Sequence, residues 1–70
     1  MKRLPVSSSR IMEIGYDTHQ CLLEVRFRDN RIYHYHRVPE RTFNTFIRVV
    51  SKGRFYDGVI KNKFPEYRIC

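Results

Sequence analysis

The sequence predicts an α+β domain: a three-stranded antiparallel β-meander packed on one face by a C-terminal helix and a second short helix. Two consecutive segments alternate apolar and polar residues, as half-buried strands do, and a third aromatic-rich segment follows a short turn. Beyond it lies an apolar stripe at helical spacing. The 70 residues suffice for one domain. Because "PVSSSR" is polar, we expect a flexible arm over residues 1–7 and a single domain over residues 8–70.

The first two strands are predicted from period-two alternation. In "RIMEIGYD", Met12, Ile14 and Tyr16 alternate with Ile11, Glu13 and Gly15, and "DTHQ" then turns the chain. The pattern is clearer in "CLLEVRFRD". One face of this second strand carries Cys21, Leu23, Val25 and Phe27, and the other carries Leu22, Glu24, Arg26 and Arg28. We therefore expect the first, more apolar face to be buried.

The turn "RDNR" decides which face of the third strand, "RIYHYHRVP", is buried. A two-residue turn would place Val25 opposite His34 and direct the tyrosines outward. A three-residue loop with Asn30 in the left-handed conformation would place Val25 opposite Tyr33, and bring Tyr33 and Tyr35 into the core. We favour the second register, because burying imidazoles without partners costs a few kcal/mol and aromatic rings gain from burial.

The helices are predicted from the spacing of apolar residues and from the Pro and Gly residues that begin or end helices. Pro39 suits the first turn of a helix. The stripe that follows at i, i+3, i+4 and i+7 predicts a helix to about Val50, with core residues Phe43, Phe46, Ile47 and Val50. Gly53 in "SKG" is the expected C-cap. The remainder, "RFYDGVIKNKFPEYRIC", predicts a short second helix and an extended tail that can add an edge strand with Tyr67 and Ile69.

Short motifs over roughly residues 8 to 64 resemble the KTSC domain, a module found alone in bacterial and phage proteins and at the C-terminus of some lysyl-tRNA synthetases. These motifs occur in order: "SS" at Ser8 and Ser9, "IGYD" at Ile14 to Asp17, "LEVRF" at Leu23 to Phe27, "YHY", "VP" at Val38 and Pro39, and "SKG" at Ser51 to Gly53. Where the family commonly has glycine in the hairpin turn, this chain has Asn30. The resemblance implies no established activity, and the link to a synthetase suggests RNA binding.

The charge balance indicates an anionic partner. There are 14 Lys and Arg residues against 7 Asp and Glu, a formal net charge of +7. Basic side chains neutralise phosphates and release counterions, so we predict a non-catalytic nucleic-acid-binding module, with RNA favoured. The sequence offers two candidate clusters and does not choose between them. A sheet-face cluster contains Arg26, Arg28, Arg31, His34, His36 and Arg37, and a second cluster contains Lys52, Arg54, Lys61 and Lys63.

The alternative function is a protein-interaction module that docks through a sheet edge or sheet face. Salt would discriminate between the two, because phosphate-driven binding weakens steeply as salt rises. We expect a monomer or weak dimer. We also expect no membrane association and a cytoplasmic location with reduced Cys21 and Cys70, because "MKRLPVSSSR" lacks the apolar region of a signal peptide.

Metal binding and catalysis are less favoured. His19, Cys21, His34 and His36 are zinc-type ligands, but same-face neighbours on a strand lie about 6 to 7 Å apart and their convergence needs the other register. We predict no metal site and no cofactor. The chain has no glycine-rich phosphate loop and no convincing carboxylate pair, and Cys21 falls on an apolar strand face. We therefore predict no catalytic residues.

Overall fold

A single antiparallel sheet forms the centre of the protein, whose computed structural model describes residues 1–70. Its strands are β1 (Arg3–Pro5), β2 (Ile11–Asp17), β3 (Leu22–Phe27), β4 (Ile32–Tyr35) and β5 (Glu66–Arg68), adjacent in that order. Between β4 and β5 lie α1 (Glu40–Arg48), α2 (Lys52–Phe55) and a π-helix (Tyr56–Ile60). The α+β class and the antiparallel sheet are confirmed. The expectation of three strands is wrong, because each end of the chain adds an edge strand.

The expected N-terminal arm contains strand β1, which pairs with β2 and places Arg3 opposite Gly15. The sequence gives little sign of this strand, because its three residues include one aliphatic side chain and Pro5 cannot donate to a ladder. Proline is tolerated on an edge strand, where its missing N–H faces away from the sheet. Gly15 permits the close approach, since a Cβ there would lie 2.9 Å from the Lys2 carbonyl oxygen.

The favoured register of the β3–β4 hairpin is confirmed. Asn30 has a φ of 71°, and its N–H donates to the Phe27 carbonyl at 3.0 Å. Val25 lies opposite Tyr33, so the tyrosines share the face of the sheet that the helices cover. Tyr35 is fully buried and Tyr33 is half-buried.

A β-bulge corrects the prediction for β2. The sequence alternation groups Met12 with Ile14, but the register shifts between Ile11 and Glu13. The extra residue inverts the alternation, so Ile11 and Ile14 are both fully buried and Met12 is only partly covered.

The prediction that Cys21 lies on the apolar face of the second strand is also wrong. Cys21 is exposed with a φ of 52°, because it belongs to the turn before β3 and not to the strand.

Helix α1 ends earlier than predicted. Val49 is already extended at its C-terminus, so Val50 turns outward and is 96% exposed. Gly53 is not a C-cap, because "SKG" begins the next helix instead of ending this one. The Ser51 hydroxyl oxygen accepts the Arg54 backbone N–H at 3.4 Å and caps α2.

The helices cover the sheet face that carries Leu23, Val25 and Tyr35. Contacts between aromatic rings join the layers, and Tyr35 meets Tyr56 edge-on with ring centroids 6.0 Å apart. The predicted tail strand is present as β5, and the Ile69 N–H donates to the Ile32 carbonyl at 2.8 Å. None of the helices has the length and apolar character that a membrane crossing requires.

Candidate nucleic-acid interface

The open face of the sheet holds a network of ion pairs. Arg26 contacts Glu13 at 3.1 Å, and the His34 ring contacts Glu24 at 2.8 Å. Arg3, from the edge strand that the sequence did not predict, contacts both glutamates. Arg26 and His34, two of the side chains expected to define this face, are therefore already paired with carboxylates.

Glu24 lies at the centre of this network and is only 7% exposed. Burial by itself would raise the pKa of Glu24, but hydrogen bonds from Arg3 and His34 outweigh it, and the pKa lies below its ordinary value. Glu24 is therefore ionised near neutral pH. A phosphate approaching this face would meet a carboxylate that already holds Arg3 and His34.

Two of the other four sheet-face candidates, His36 and Arg37, lie past the end of β4. His36 packs edge-on against Tyr67, with ring centroids 4.8 Å apart. Arg37 is exposed, and its positive φ of 60° turns the chain toward α1. Neither side chain lines a cavity.

Most of the second predicted cluster is dispersed. Lys52 is 9% exposed, and its ammonium group donates to the Val49 carbonyl, so this lysine closes the α1–α2 turn. Arg54 and Lys63 are exposed, and neither lines a cavity. The structure brings only Lys61 of this cluster close to cations of the first.

A concave surface lies where the β3–β4 turn meets the segment before β2. We call it the basic cleft. It encloses about 280 Å³ and is lined by Ser9, Arg10, Phe27, Arg28, Asp29 and Arg31. Three guanidinium side chains thus border one cavity, and two of them, Arg28 and Arg31, are among the residues predicted from the sequence.

Arg28 and Arg31 are both anchored through Nε. The Nε of Arg28 donates to the Ser8 carbonyl at 2.6 Å, and that of Arg31 donates to the Asp29 carboxylate at 2.7 Å. The Arg31 guanidinium also lies 5.3 Å from the centroid of the Phe27 ring. These contacts hold the arginine stems and leave their Nη groups as donors.

Arg10 was not predicted as a site residue, because it falls where the expected arm meets the first strand. Its two Nη groups donate to the Asp57 carboxylate at 2.9 and 3.0 Å, and these hydrogen bonds hold the pKa of Asp57 below its ordinary value. The guanidinium also lies 5.8 Å from the Tyr56 ring centroid. The "SS" motif before it offers a signal, because Ser8 Oγ accepts the Arg10 backbone N–H at 3.2 Å.

A second cavity of about 160 Å³ adjoins the basic cleft and shares Arg10, Phe27 and Arg31 with it. We call it the adjoining cavity. Its further lining residues are Tyr33, Tyr56, Lys61 and Glu66. Cations from both predicted clusters therefore lie around two neighbouring cavities.

No three His, Cys, Asp or Glu side chains lie close enough together to hold a metal ion.

The family follows from comparison with known proteins. The sequence model of the KTSC domain family matches residues 7–64, which are most of the chain. The chain belongs to the KTSC domain family. A KTSC domain protein of Yersinia pestis, whose crystal structure is known, is 54% identical and superposes with a TM-score of 0.95, with 99% of this chain and 97% of that chain covered.

Two further relatives extend the family comparison. A protein of Tsukamurella paurometabola is 38% identical over 60 residues, which are 86% of this chain and 90% of that protein. An uncharacterized protein of Stutzerimonas stutzeri is 34% identical over 67 residues, 96% of this chain and 94% of that protein. The resemblance seen in the short motifs is confirmed. All residues that line the basic cleft of this KTSC domain lie inside the matched range.

Proposed function

We propose that this KTSC domain is a non-catalytic nucleic-acid-binding module, with RNA as the favoured ligand, and that the basic cleft contacts the phosphates. The main support for this proposal is the arrangement of arginines around the cleft. Three guanidinium groups border a single cavity, and one of them, Arg28, has no carboxylate within ion-pair distance. Guanidinium groups bind phosphate oxygens through paired, charge-assisted hydrogen bonds.

The basic cleft is a better phosphate site than the open sheet face. On the sheet face, Arg26 and His34 already face glutamates, and the central carboxylate of Glu24 is buried and ionised. Displacing those contacts would leave a buried charge without its partners, which is costly. In the cleft, Arg28 needs no such exchange. We therefore propose the cleft in place of the sheet face.

The preference for RNA rests on the surfaces beside the cations. The Arg31 guanidinium lies over the Phe27 ring and 6.0 Å from the Tyr33 ring centroid. Unpaired bases stack on guanidinium planes and aromatic rings, and single-stranded RNA presents such bases. The attachment of related domains to a synthetase, which the resemblance implies, agrees with this ligand class.

Fluorescence anisotropy with a short single-stranded RNA and with duplex DNA tests the proposal over a series of salt concentrations. We expect log affinity to fall linearly with log salt. Arg28→Gln should weaken RNA binding by about 5- to 10-fold at low salt and reduce the slope by about 1. Arg48→Gln removes the same charge from the exposed end of α1 and is the matched control. Equal effects of the two variants would contradict the cleft as the site.

A protein partner on strand β5 is the second candidate function. Tyr67 in β5 is 56% exposed and Ile69 beyond it is 55% exposed, at an edge of the sheet. An exposed edge can accept a strand from another chain. Binding of that kind would be little affected by salt, so the salt series distinguishes it from phosphate contacts.

A further inference from the structure

The basic cleft places three guanidinium groups around one cavity. We infer that it takes a terminal phosphate group, the phosphomonoester at the end of a nucleic-acid strand, in preference to an internal phosphodiester. The inference rests on the proposed function for the class of ligand. The inference specifies which part of the nucleic acid the cleft recognises.

The number of unused donors favours a phosphate with three terminal oxygens. Each guanidinium carries five N–H groups. Arg28 and Arg31 make their hydrogen bonds to the protein through Nε, so their Nη groups remain available. Arg10 uses one N–H on each Nη toward Asp57 and retains the others. The exposed Ser9 hydroxyl lines the same cavity and forms no hydrogen bond with the protein.

A phosphomonoester matches this donor set better than a phosphodiester does. A terminal phosphate presents three acceptor oxygens and a charge of about −1.5 to −2 at pH 7. A phosphodiester presents only two charged oxygens that share a single negative charge. Three guanidinium groups that line one cavity can each bind one oxygen of the terminal group, whereas two would suffice for an internal phosphate.

The net charge of the lining is positive, as the binding of a phosphate requires. The cleft is lined by three guanidinium groups and one carboxylate, a formal charge of +2. Asp57 contacts Arg10 without lining the cleft, and counting it leaves +1. The cleft therefore stays positive with every contacting carboxylate included.

Four of the predicted basic residues, Arg37, Lys52, Arg54 and Lys63, line neither the basic cleft nor the adjoining cavity. Proteins that bind internal single strands use a positively charged groove that follows successive phosphates. Here Lys52 is buried against the Val49 carbonyl, and Arg37, Arg54 and Lys63 line no cavity. A strand that ends in the cleft needs no such groove.

The test compares RNAs of one sequence, about ten nucleotides long and labelled internally, that differ only at their ends. One carries a 5′-phosphate, one a 3′-phosphate and one hydroxyls at both ends. Anisotropy with the full chain at low salt should show at least one phosphorylated RNA binding about tenfold tighter than the unphosphorylated one. Which of the two it is identifies the strand end.

Two variants and one competitor complete the design. Arg28→Gln should reduce the preference for a phosphorylated end to less than about threefold, whereas Arg48→Gln should retain it. Inorganic phosphate should compete with the phosphorylated RNA for the cleft. Equal binding of all three RNAs would overturn the terminal-phosphate inference and leave the proposed function standing. Absence of binding to any of them would overturn both.

Discussion

The hydroxyl oxygens of Tyr35 and Tyr56 lie 2.5 Å apart in the core, where they join strand β4 to the π-helix. Tyr35 is fully buried and Tyr56 is 6% exposed. Burial raises the pKa of both phenols, so both remain protonated through the neutral range. The two hydroxyls form a hydrogen bond with each other. This polar contact links the sheet to the helical layer inside an apolar core.

Removing either hydroxyl should destabilise the fold. Tyr35→Phe and Tyr56→Phe should each lower the free energy of unfolding by about 1 to 2 kcal/mol, because the remaining buried hydroxyl loses its partner. The double variant should lose less than the sum of the two, since no unpaired group remains. Urea denaturation measures all three. Tyr67→Phe, at an exposed position, is the control and should change stability by less than about 0.5 kcal/mol. Additive losses in the double variant would contradict a direct contact.

The network around Glu24 should make stability depend on pH. Because contacts with Arg3 and His34 lower the pKa of Glu24 in the folded state, its contribution is complete above the unfolded pKa of about 4.3. It is lost as pH falls through the lower folded pKa. Glu24→Gln should therefore cost about 1 to 2 kcal/mol at pH 7, and this cost should shrink as the pH falls below about 4.3.

Denaturation of the wild-type protein and Glu24→Gln across this range measures the effect. The exposed Glu40→Gln is the control, since Glu40 makes no ion pair in the structure. A difference between wild type and Glu24→Gln that stayed constant from pH 7 to pH 3 would show that the network does not depend on the ionised carboxylate.

Strand β1 should depend on the small size of Gly15. A Cβ at Gly15 would meet the Lys2 carbonyl oxygen at 2.9 Å and the Met1 sulfur at 3.1 Å. Gly15→Ala should therefore displace β1, expose its amides to hydrogen exchange and cost about 1 to 3 kcal/mol. Gly58→Ala, with nothing within 4 Å and no positive φ, should keep β1 protected and leave stability equal or up to about 1 kcal/mol higher. Unchanged exchange of β1 in Gly15→Ala would refute this packing.

The corrected end of α1 also predicts a contrast. Phe46 is fully buried, and Phe46→Ala should cost about 3 to 5 kcal/mol through lost burial and the cavity left behind. Val50 is 96% exposed, so Val50→Ser should change stability by less than about 0.5 kcal/mol. Thermal or urea unfolding distinguishes the two. A large loss of stability in Val50→Ser would contradict this helix end and support the longer helix that the apolar stripe predicts.

The sequence predicts those parts of the fold in which a local pattern and a burial energy agree. The β3–β4 register could be predicted because Asn30 tolerates a left-handed turn and burying Tyr33 and Tyr35 decides between two discrete pairings. The bulge in β2 could not, because one inserted residue inverts the faces without changing composition. Strand β1 is too short to show a period.

The candidate site was only partly predictable for a related reason. Arg28 and Arg31 follow one another across the predicted turn, so their proximity can be derived from the sequence. Arg10 meets them only through the β2–β3 pairing and its contact with Asp57, which lies 47 residues away along the chain. A count of basic residues also leaves out Glu13 and Glu24, which pair with Arg26 and His34 on the open sheet face.

The most direct test of the proposed function is a ¹⁵N–¹H NMR titration of the full chain with a short single-stranded RNA at two salt concentrations. The proposal predicts saturable shifts at Arg10, Arg28 and Arg31 that diminish with salt, and small shifts at Glu13 and Glu24 on the open sheet face. Shifts confined to the sheet face, or no shifts at low salt, would contradict the basic cleft as a nucleic-acid interface.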